Sequence, residues 1–184
     1  MTDDDVRTMV KTDQGELPFQ EYFVHRACEP AVRGFRFDGA EAARPAPGVL
    51  EALRQADLAI ICPSNPWVSI DPILSVPGIR QAVTSKPTVA VSPLVGGKAL
   101  KGPAEKMAAE LGVETTPVSI ARHYGEMLIG LIYDEADADA SGALLELGVR
   151  SRRTRTVMRS ERDRRRVAEE LLAFGESLIT VRSA

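Results

Sequence analysis

Leu58-Ala59-Ile60-Ile61-Cys62 runs without a break into Pro63-Ser64-Asn65-Pro66-Trp67-Val68-Ser69-Ile70. Thr88-Val89-Ala90-Val91 runs in the same way into Ser92-Pro93-Leu94-Val95-Gly96-Gly97-Lys98-Ala99-Leu100-Lys101-Gly102-Pro103. Each is a short apolar, β-branched run that ends in small polar residues. That is the pattern of a strand buried on both faces, as in a parallel sheet. In open α/β sheets the carboxyl ends of such strands open the ligand crevice. Two such loops, one with lysines at 98 and 101, point to a phosphate-bearing ligand.

Working outward, helical patterns alternate with these runs. Gly48 to Gln55 reads as a helix that buries Val49, Leu50 and Leu53. Pro72 to Val76 and Pro77 to Thr84 read as two helical pieces, each with proline in its first turn. Pro103 to Leu111 places Met107, Ala108 and Leu111 on one face, and Gly112 stops it. Val118 to Gly125 reads as helix and Met127 to Tyr133 as a third buried strand. Val149 and Thr154 to Met158 are strand candidates. Ser160-Glu161-Arg162-Asp163 has the spacing of a capping box before a last helix, whose Val167, Leu171, Leu172 and Phe174 face the core. Before residue 48, Val6 to Lys11 and Val32 to Phe37 read as strands. Pro18 to Arg26 reads as a short aromatic helix with Phe19, Tyr22 and Phe23 on one side. The expectation is one α/β domain over residues 1–184, built on a mostly parallel sheet flanked by helices.

The 184 residues are enough for a domain with a real core. A hydrophobic share of 44% and a charged share of 27% fit an ordinary globular protein, and a formal charge of −3 gives no field favouring nucleic acid. The basic cluster from Arg150 to Arg166 is offset by Glu161, Asp163, Glu169 and Glu170, so it reads as a solvated helix face. Cys28 and Cys62 are too few and too far apart for a disulfide framework or a zinc site. No apolar run approaches the about 18 residues that span a bilayer. The acidic start, Met1-Thr2-Asp3-Asp4-Asp5, lacks the marks of a signal peptide, and a cytoplasmic location is expected.

Phosphate binding needs converging backbone N–H groups, close approach without a Cβ, and a cation. Gly96-Gly97 offers the approach, Lys98 and Lys101 the charge, and Gly102-Pro103 a helix N-terminus behind them. Neither GxxxxGK[ST] nor GxGxxG occurs. A turn with two surface lysines is the other reading of the same residues. In the first loop, Pro66 argues against a helix start right after Asn65, which leaves Ser64 and Asn65 in a constrained turn facing a ligand. Ser69 either caps the next helix or binds a phosphate oxygen. Trp67 packs over a bound ring or in the core. His25 and His123 lie on different helices with no nucleophile at motif spacing. Asp134, Asp137 and Asp139 offer Mg²⁺ ligands or a solvated acidic loop.

These residues resemble the 2-phospho-L-lactate transferase (CofD/FbiA) family of coenzyme F420 biosynthesis. The segments that carry the resemblance begin with Gly15-Glu16-Leu17-Pro18-Phe19-Gln20-Glu21-Tyr22-Phe23-Val24 and Pro45-Ala46-Pro47-Gly48-Val49-Leu50-Glu51-Ala52. They continue through Pro63-Ser64-Asn65-Pro66 with Ser69-Ile70, Val76-Pro77-Gly78-Ile79-Arg80, and Ser92 to Ala104. The resemblance implies transfer of a phospholactyl or phosphoenolpyruvyl group from a guanosine-diphosphate-linked donor to the deazaflavin Fo, with release of GMP and a need for Mg²⁺. It carries Ser64, Asn65, Ser69, Gly96, Gly97, Lys98 and Lys101 to the nucleotide-phosphate crevice, and Gln20 and Glu21 to the deazaflavin side.

It also implies departures. Full-length members begin with a strand, a glycine-rich loop and the aspartates that hold the metal, and this chain starts about halfway through that pattern. The fold expected is therefore CofD-like and Rossmann-related without the N-terminal glycine-rich half, with the metal ligands in that half. Such a chain is expected to form a homo-oligomer or to pair with a separate N-terminal half. Cys62 and Asp71 stand where glycine is usual, and Glu16 where tryptophan is usual. Asp71 adds a negative charge near an anion site, which weakens anion binding unless it is paired. A non-catalytic nucleotide- or sugar-nucleotide-binding regulator of the same superfamily is the other functional reading.

Overall fold

The computed structural model describes residues 1–100 and 102–182. The first strand is β1, Arg7–Thr12, one residue along from the expected one. It pairs antiparallel with β2, Gly15–Pro18, and with β3, Val32–Asp38, in the order β2-β1-β3. The sequence pattern did not show β2, since four residues are too few to display alternation. Across this sheet Glu16 accepts from two guanidinium nitrogens of Arg36, Nη2 at 2.9 Å and Nε at 3.0 Å. That fork holds the Glu16 carboxyl below its ordinary range. The aromatic segment is a π-helical turn, Glu21–His25, rather than a regular helix. It puts Phe19 and Phe23 face to face, with ring centres 5.5 Å apart.

From residue 49 the chain alternates as expected. Helix α1 (Val49–Gln55) leads to β4 (Ala59–Ile61). Val49, Leu50 and Leu53 of α1 are half-buried against the core. A π-helical turn at Pro66–Ile70, then α2 (Asp71–Leu74) and α3 (Ile79–Thr84), return to β5 (Thr88–Val91). Next come a small hairpin of β6 (Leu94–Val95) and β7 (Lys98–Ala99), then α4 (Ala104–Glu110) and α5 (Pro117–Tyr124). Strand β8 (Gly130–Asp134), α6 (Ser141–Glu146), β9 (Arg150–Thr154) and α7 (Glu161–Arg182) complete it. The four strands β4-β5-β8-β9 lie in that order, and every pair is parallel.

Alternation along the strands sorts the core. Ile61, Ala90, Leu131 and Tyr133 face α3 and α5, meeting Ile79, Val83 and Ile120. Val89, Val91 and Ile132 face α7, meeting Val167, Leu171 and Phe174. Leu172, expected in the core, is 47% exposed, because it lies one helical step off that stripe. A Cβ at Gly130 would lie 2.6 Å from Leu178 Cδ1 and 2.9 Å from Phe174 Cε1, so glycine lets α7 settle on β8. The capping box forms: Asp163 N donates to Ser160 Oγ at 3.2 Å, and Ser160 N donates to Asp163 Oδ2 at 2.9 Å.

One local expectation fails, and one element goes unread. Residues 155–158 are not a strand. β9 ends at Thr154, and Thr156 bonds to Asp134 instead of to a neighbouring strand. Helix α6 lay unrecognised in a stretch with little periodicity. The antiparallel sheet joins the rest through α4. Val10, Tyr22, Val32 and Met107 form a buried cluster, Lys106 Nζ donates to Pro30 O at 3.1 Å, and Glu110 Oε2 accepts from Val32 N at 2.9 Å. Among the described residues no helix is long and apolar enough to cross a membrane.

Candidate functional site

The two proline loops leave the carboxyl ends of the adjacent strands β4 and β5. Asn65 is extended (φ −59°, ψ 120°), as the residue before proline must be, and Pro66 is the first residue of the helical turn. The expectation that Pro66 blocks a helix there is thus corrected, since proline lacks only an N–H that a helix start leaves free. Asn65 Oδ1 caps the turn, accepting from Trp67 N at 3.0 Å and Val68 N at 3.4 Å, while Nδ2 reaches Met107 Sδ at 3.5 Å. Ser92 is buried, and its Oγ accepts from Leu94 N at 3.2 Å.

Between the loops lies a cavity of about 520 Å³. Ser64, Asn65 and Ser69 line it from one loop, and Ala99, Leu100 and Gly102 from the other. Phe19 and Phe23 form an aromatic wall, with Phe23 41% exposed. Thr156 and Met158 close the far side, beyond β9.

The remaining site expectations fall elsewhere. Gly96 (φ 60°) and Gly97 (φ 72°) form the tip of the β6–β7 hairpin, the left-handed pair that a two-residue hairpin turn requires. They do not line the cavity, and the Gly97 N–H is already donated to Asp137 Oδ1 at 2.7 Å. An amide held by a carboxylate is not free to cradle phosphate in this conformation. Lys98 is exposed on β7 and outside the lining, next to Ala99, which lines the cavity. Lys101 lies outside the described residues. Gln20 is exposed, and Glu21 is occupied by His25 at 2.6 Å and Arg26 at 3.1 Å. Neither lines the cavity. Their neighbours Phe19 and Phe23 do, and the i, i+4 aromatic spacing was the signal that could have found them.

A second cavity of about 500 Å³ adjoins the first, and Pro93 and Ala104 line both. Trp67 and His123 line it, with the rings edge-to-face and 5.9 Å between centres. His123 Nε2 is 3.0 Å from Asp71 Oδ1, and Arg80 lies 3.9 Å from the same oxygen. Asp71 is therefore paired, which meets the condition under which its charge does not oppose an anion.

The arginines from 150 to 166 mostly find partners within the chain. Arg152 lies over the Phe174 ring at 5.1 Å, Arg153 reaches Asp137 O at 2.8 Å, and Arg165 and Arg166 pair with Glu169 and Glu170.

The family model described as 2-phospho-L-lactate transferase CofD matches residues 1–170. The chain belongs to the CofD family. It is 43% identical over 182 residues to a 2-phospho-L-lactate transferase of Methanopyrus kandleri, covering 97% of this chain and 57% of the relative. It is 44% identical over 152 residues to a phosphoenolpyruvate transferase of Thermobifida fusca, covering 80% of this chain and 47% of that one. The chain thus spans about half the length of the curated relatives it matches. A Bacillus halodurans protein of the UPF0052 family has the same fold, with a TM-score of 0.64 at 17% identity over 93% of this chain and 60% of that one.

CofD membership raises the question of Mg²⁺, and the residues described here do not fit it. Among them no three His, Cys, Asp or Glu side chains cluster to hold a metal. The acidic residues after β8 serve the backbone instead. Asp134 accepts from Ala136 N at 2.9 Å, Thr156 N at 2.7 Å and Thr156 Oγ1 at 2.9 Å. Burial pushes its carboxyl up, but these donors outweigh burial and hold it below its ordinary value. Asp139 accepts from Tyr133 Oη and Ser141 N, both at 3.0 Å. No step below runs through a metal.

Proposed function

We propose that this chain forms one side of the reaction site of an F420-pathway transferase. The reaction joins a phospholactyl or phosphoenolpyruvyl group, carried on a guanosine diphosphate, to the deazaflavin Fo. A ribityl hydroxyl of Fo forms a bond to the phosphorus next to the lactyl or enolpyruvyl oxygen. The bond from that phosphorus to GMP breaks, GMP leaves with the electron pair, and the hydroxyl proton passes to solvent. The observation that carries this reading is the pair of adjoining cavities at the carboxyl ends of β4 and β5, one with a stacked aromatic wall. Two cavities with a shared wall suit two substrates that must meet.

Each group has a task in this proposal. Phe19 and Phe23 take the flat deazaflavin ring. The Ser64 and Ser69 hydroxyls donate to phosphoryl oxygens, while Asn65 holds their loop. Lys98 adds charge from the hairpin side. Catalysis of this kind is mainly positioning and charge neutralisation. The Mg²⁺ ligands, on this reading, come from chain outside residues 1–184.

The sheet edges support a partner. Edge strand β9 carries Arg150, Arg152 and Arg153, charges that discourage pairing. Edge strand β4 is apolar, with Ile60 38% exposed. We propose that β4 is covered in the working protein by a second copy or by a separate chain carrying the N-terminal half. Light scattering that finds only monomer, alone and with that half added, refutes this.

Fo fluorescence titration tests the central reading. Phe23→Ala is expected to weaken Fo about tenfold, from the loss of about 1.4 kcal/mol of stacking, and to leave GMP affinity unchanged. Equal Fo affinity in the variant removes the aromatic wall from the proposal. The lack of a carboxylate cluster among the described residues favours a second reading, a nucleotide-binding regulator without turnover. We expect no Fo-dependent GMP release from the isolated chain. Release on addition of the N-terminal half separates the transferase from the regulator.

A further inference from the structure

We infer that the Trp67–His123 cavity is a ligand site in which Asp71 acts as a positioning residue, holding His123 as a hydrogen-bond acceptor. This rests on the transferase reading only for the choice of probes. The ligand class is a small molecule that presents a hydroxyl or ring N–H beside an apolar face.

The geometry restricts the imidazole from several sides. His123 stands edge-to-face to Trp67, with centres 5.9 Å apart, and to Tyr124, with centres 5.3 Å apart. Its Nε2 lies 3.0 Å from Asp71 Oδ1. An ionised carboxylate only accepts, so Nε2 must be the nitrogen that carries hydrogen. In the neutral ring that leaves Nδ1 as the lone-pair acceptor. Asp71 is itself steadied by Arg80, 3.9 Å from the same oxygen, so the pair ties α2, α3 and α5 together. Buried Tyr124 keeps its hydroxyl protonated, first through burial and then through the Asp71 charge, so it offers no competing anion.

The cavity suits a ligand. It measures about 500 Å³, within the range of small-molecule sites. Leu94, Ala108 and Ile120 make its wall apolar, and Glu114, Ser119 and Arg122 add polar groups. A fixed imidazole acceptor beside an indole and an apolar wall is an arrangement that orients a ring and accepts one hydrogen from it.

The chain has two histidines, so His25→Gln leaves a single imidazole for ¹⁵N NMR. In that background the ring nitrogens of His123 are expected to report the Nε2–H tautomer of the neutral ring. Asp71→Gly and the isosteric Asp71→Asn are expected to give averaged or reversed signals with folding retained in thermal melts. GMP and Fo are the probes. One of them is expected to shift the His123 nitrogens, and Asp71→Asn to raise its Kd about tenfold, the scale of one hydrogen bond to an aligned group. An Nδ1–H tautomer in the parent overturns the inference by itself. So does binding of the probes in which neither one moves the His123 nitrogens. Binding of neither probe refutes this inference together with the transferase reading. A shifted His123 without turnover in the reconstituted enzyme refutes the transferase reading alone.

Discussion

Thr156→Val is expected to destabilise the chain by about 2 kcal/mol. Asp134 is 3% exposed and Thr156 6%, and the Thr156 hydroxyl donates to Asp134 Oδ2 at 2.9 Å. Valine keeps the shape and the backbone N–H, which donates to the same oxygen at 2.7 Å, so only the hydroxyl is lost. A hydrogen bond to a charged acceptor contributes about 1.5–3 kcal/mol. For a chain of this size each kcal/mol moves the melting temperature by about 2–4 °C, which gives a drop of about 4–8 °C. Asp134→Asn sets an amide against the Thr156 donors and costs more. The double variant closes a cycle whose coupling is expected at about 1.5 kcal/mol or above. The pH dependence has a definite sign. The folded Asp134 carboxyl titrates below its ordinary value, so its stabilisation is present above the unfolded pKa of about 3.9 and is lost as pH falls through the folded value. The gap between parent and Thr156→Val, followed by calorimetry, is therefore wide at neutral pH and narrows below about pH 4. Additive effects, or a gap unchanged by acid, refute the reasoning.

Three further outcomes follow from single contacts. Gly175→Ala places a Cβ 2.5 Å from Leu58 Cδ2, so it is expected to cost about 1–3 kcal/mol in a melt, and Leu58→Ala is expected to relieve part of that penalty. Gly97→Ala forces alanine to φ 72° at the hairpin tip, at a cost of about 1–2 kcal/mol, and loosens the bond to Asp137; an unchanged melt refutes the hairpin geometry. Lys98→Ala is expected to weaken GMP binding several-fold at low salt and less at high salt, and equal affinity by titration calorimetry returns Lys98 to the surface.

What was legible in the chain follows from the range over which its physics acts. Three of the four parallel strands, β4, β5 and β8, announced themselves because burial on both faces demands continuous apolar runs such as Thr88-Val89-Ala90-Val91, whereas the arginine-rich edge strand β9 has no such run and was missed. The last helix announced itself through Ser160 and Asp163, three residues apart. Leu172 was misplaced because the apolar stripe of α7 follows Val167, Leu171 and Phe174 and leaves it to one side. The supposed strand at 154–158 went astray for a tertiary reason. Its Thr156 is taken by a buried aspartate that lies 22 residues earlier.

The same distinction governs the site. Local chemistry located the loops, since proline, serine and glycine at strand ends act within a few residues. Whether a given donor is free depends on distant partners. The Gly97 N–H looks available in the sequence, yet Asp137, 40 residues on, accepts it. Asp71 looks like a bare surface carboxylate, yet His123, 52 residues on, donates to it. Asp137 carries the argument further. It is 3% exposed, and its second oxygen, Oδ2, has no donor among the described residues. A buried carboxylate with one bare oxygen gains from any donor that reaches it. The hairpin amide it holds is also the one that a phosphate oxygen would need. Asp137→Asn keeps an acceptor for Gly97 and removes the charge. If the carboxylate holds the amide against a competing phosphate, this variant binds GMP more tightly than the parent. Weaker or equal binding shows that the Gly97 amide takes no part in phosphate recognition.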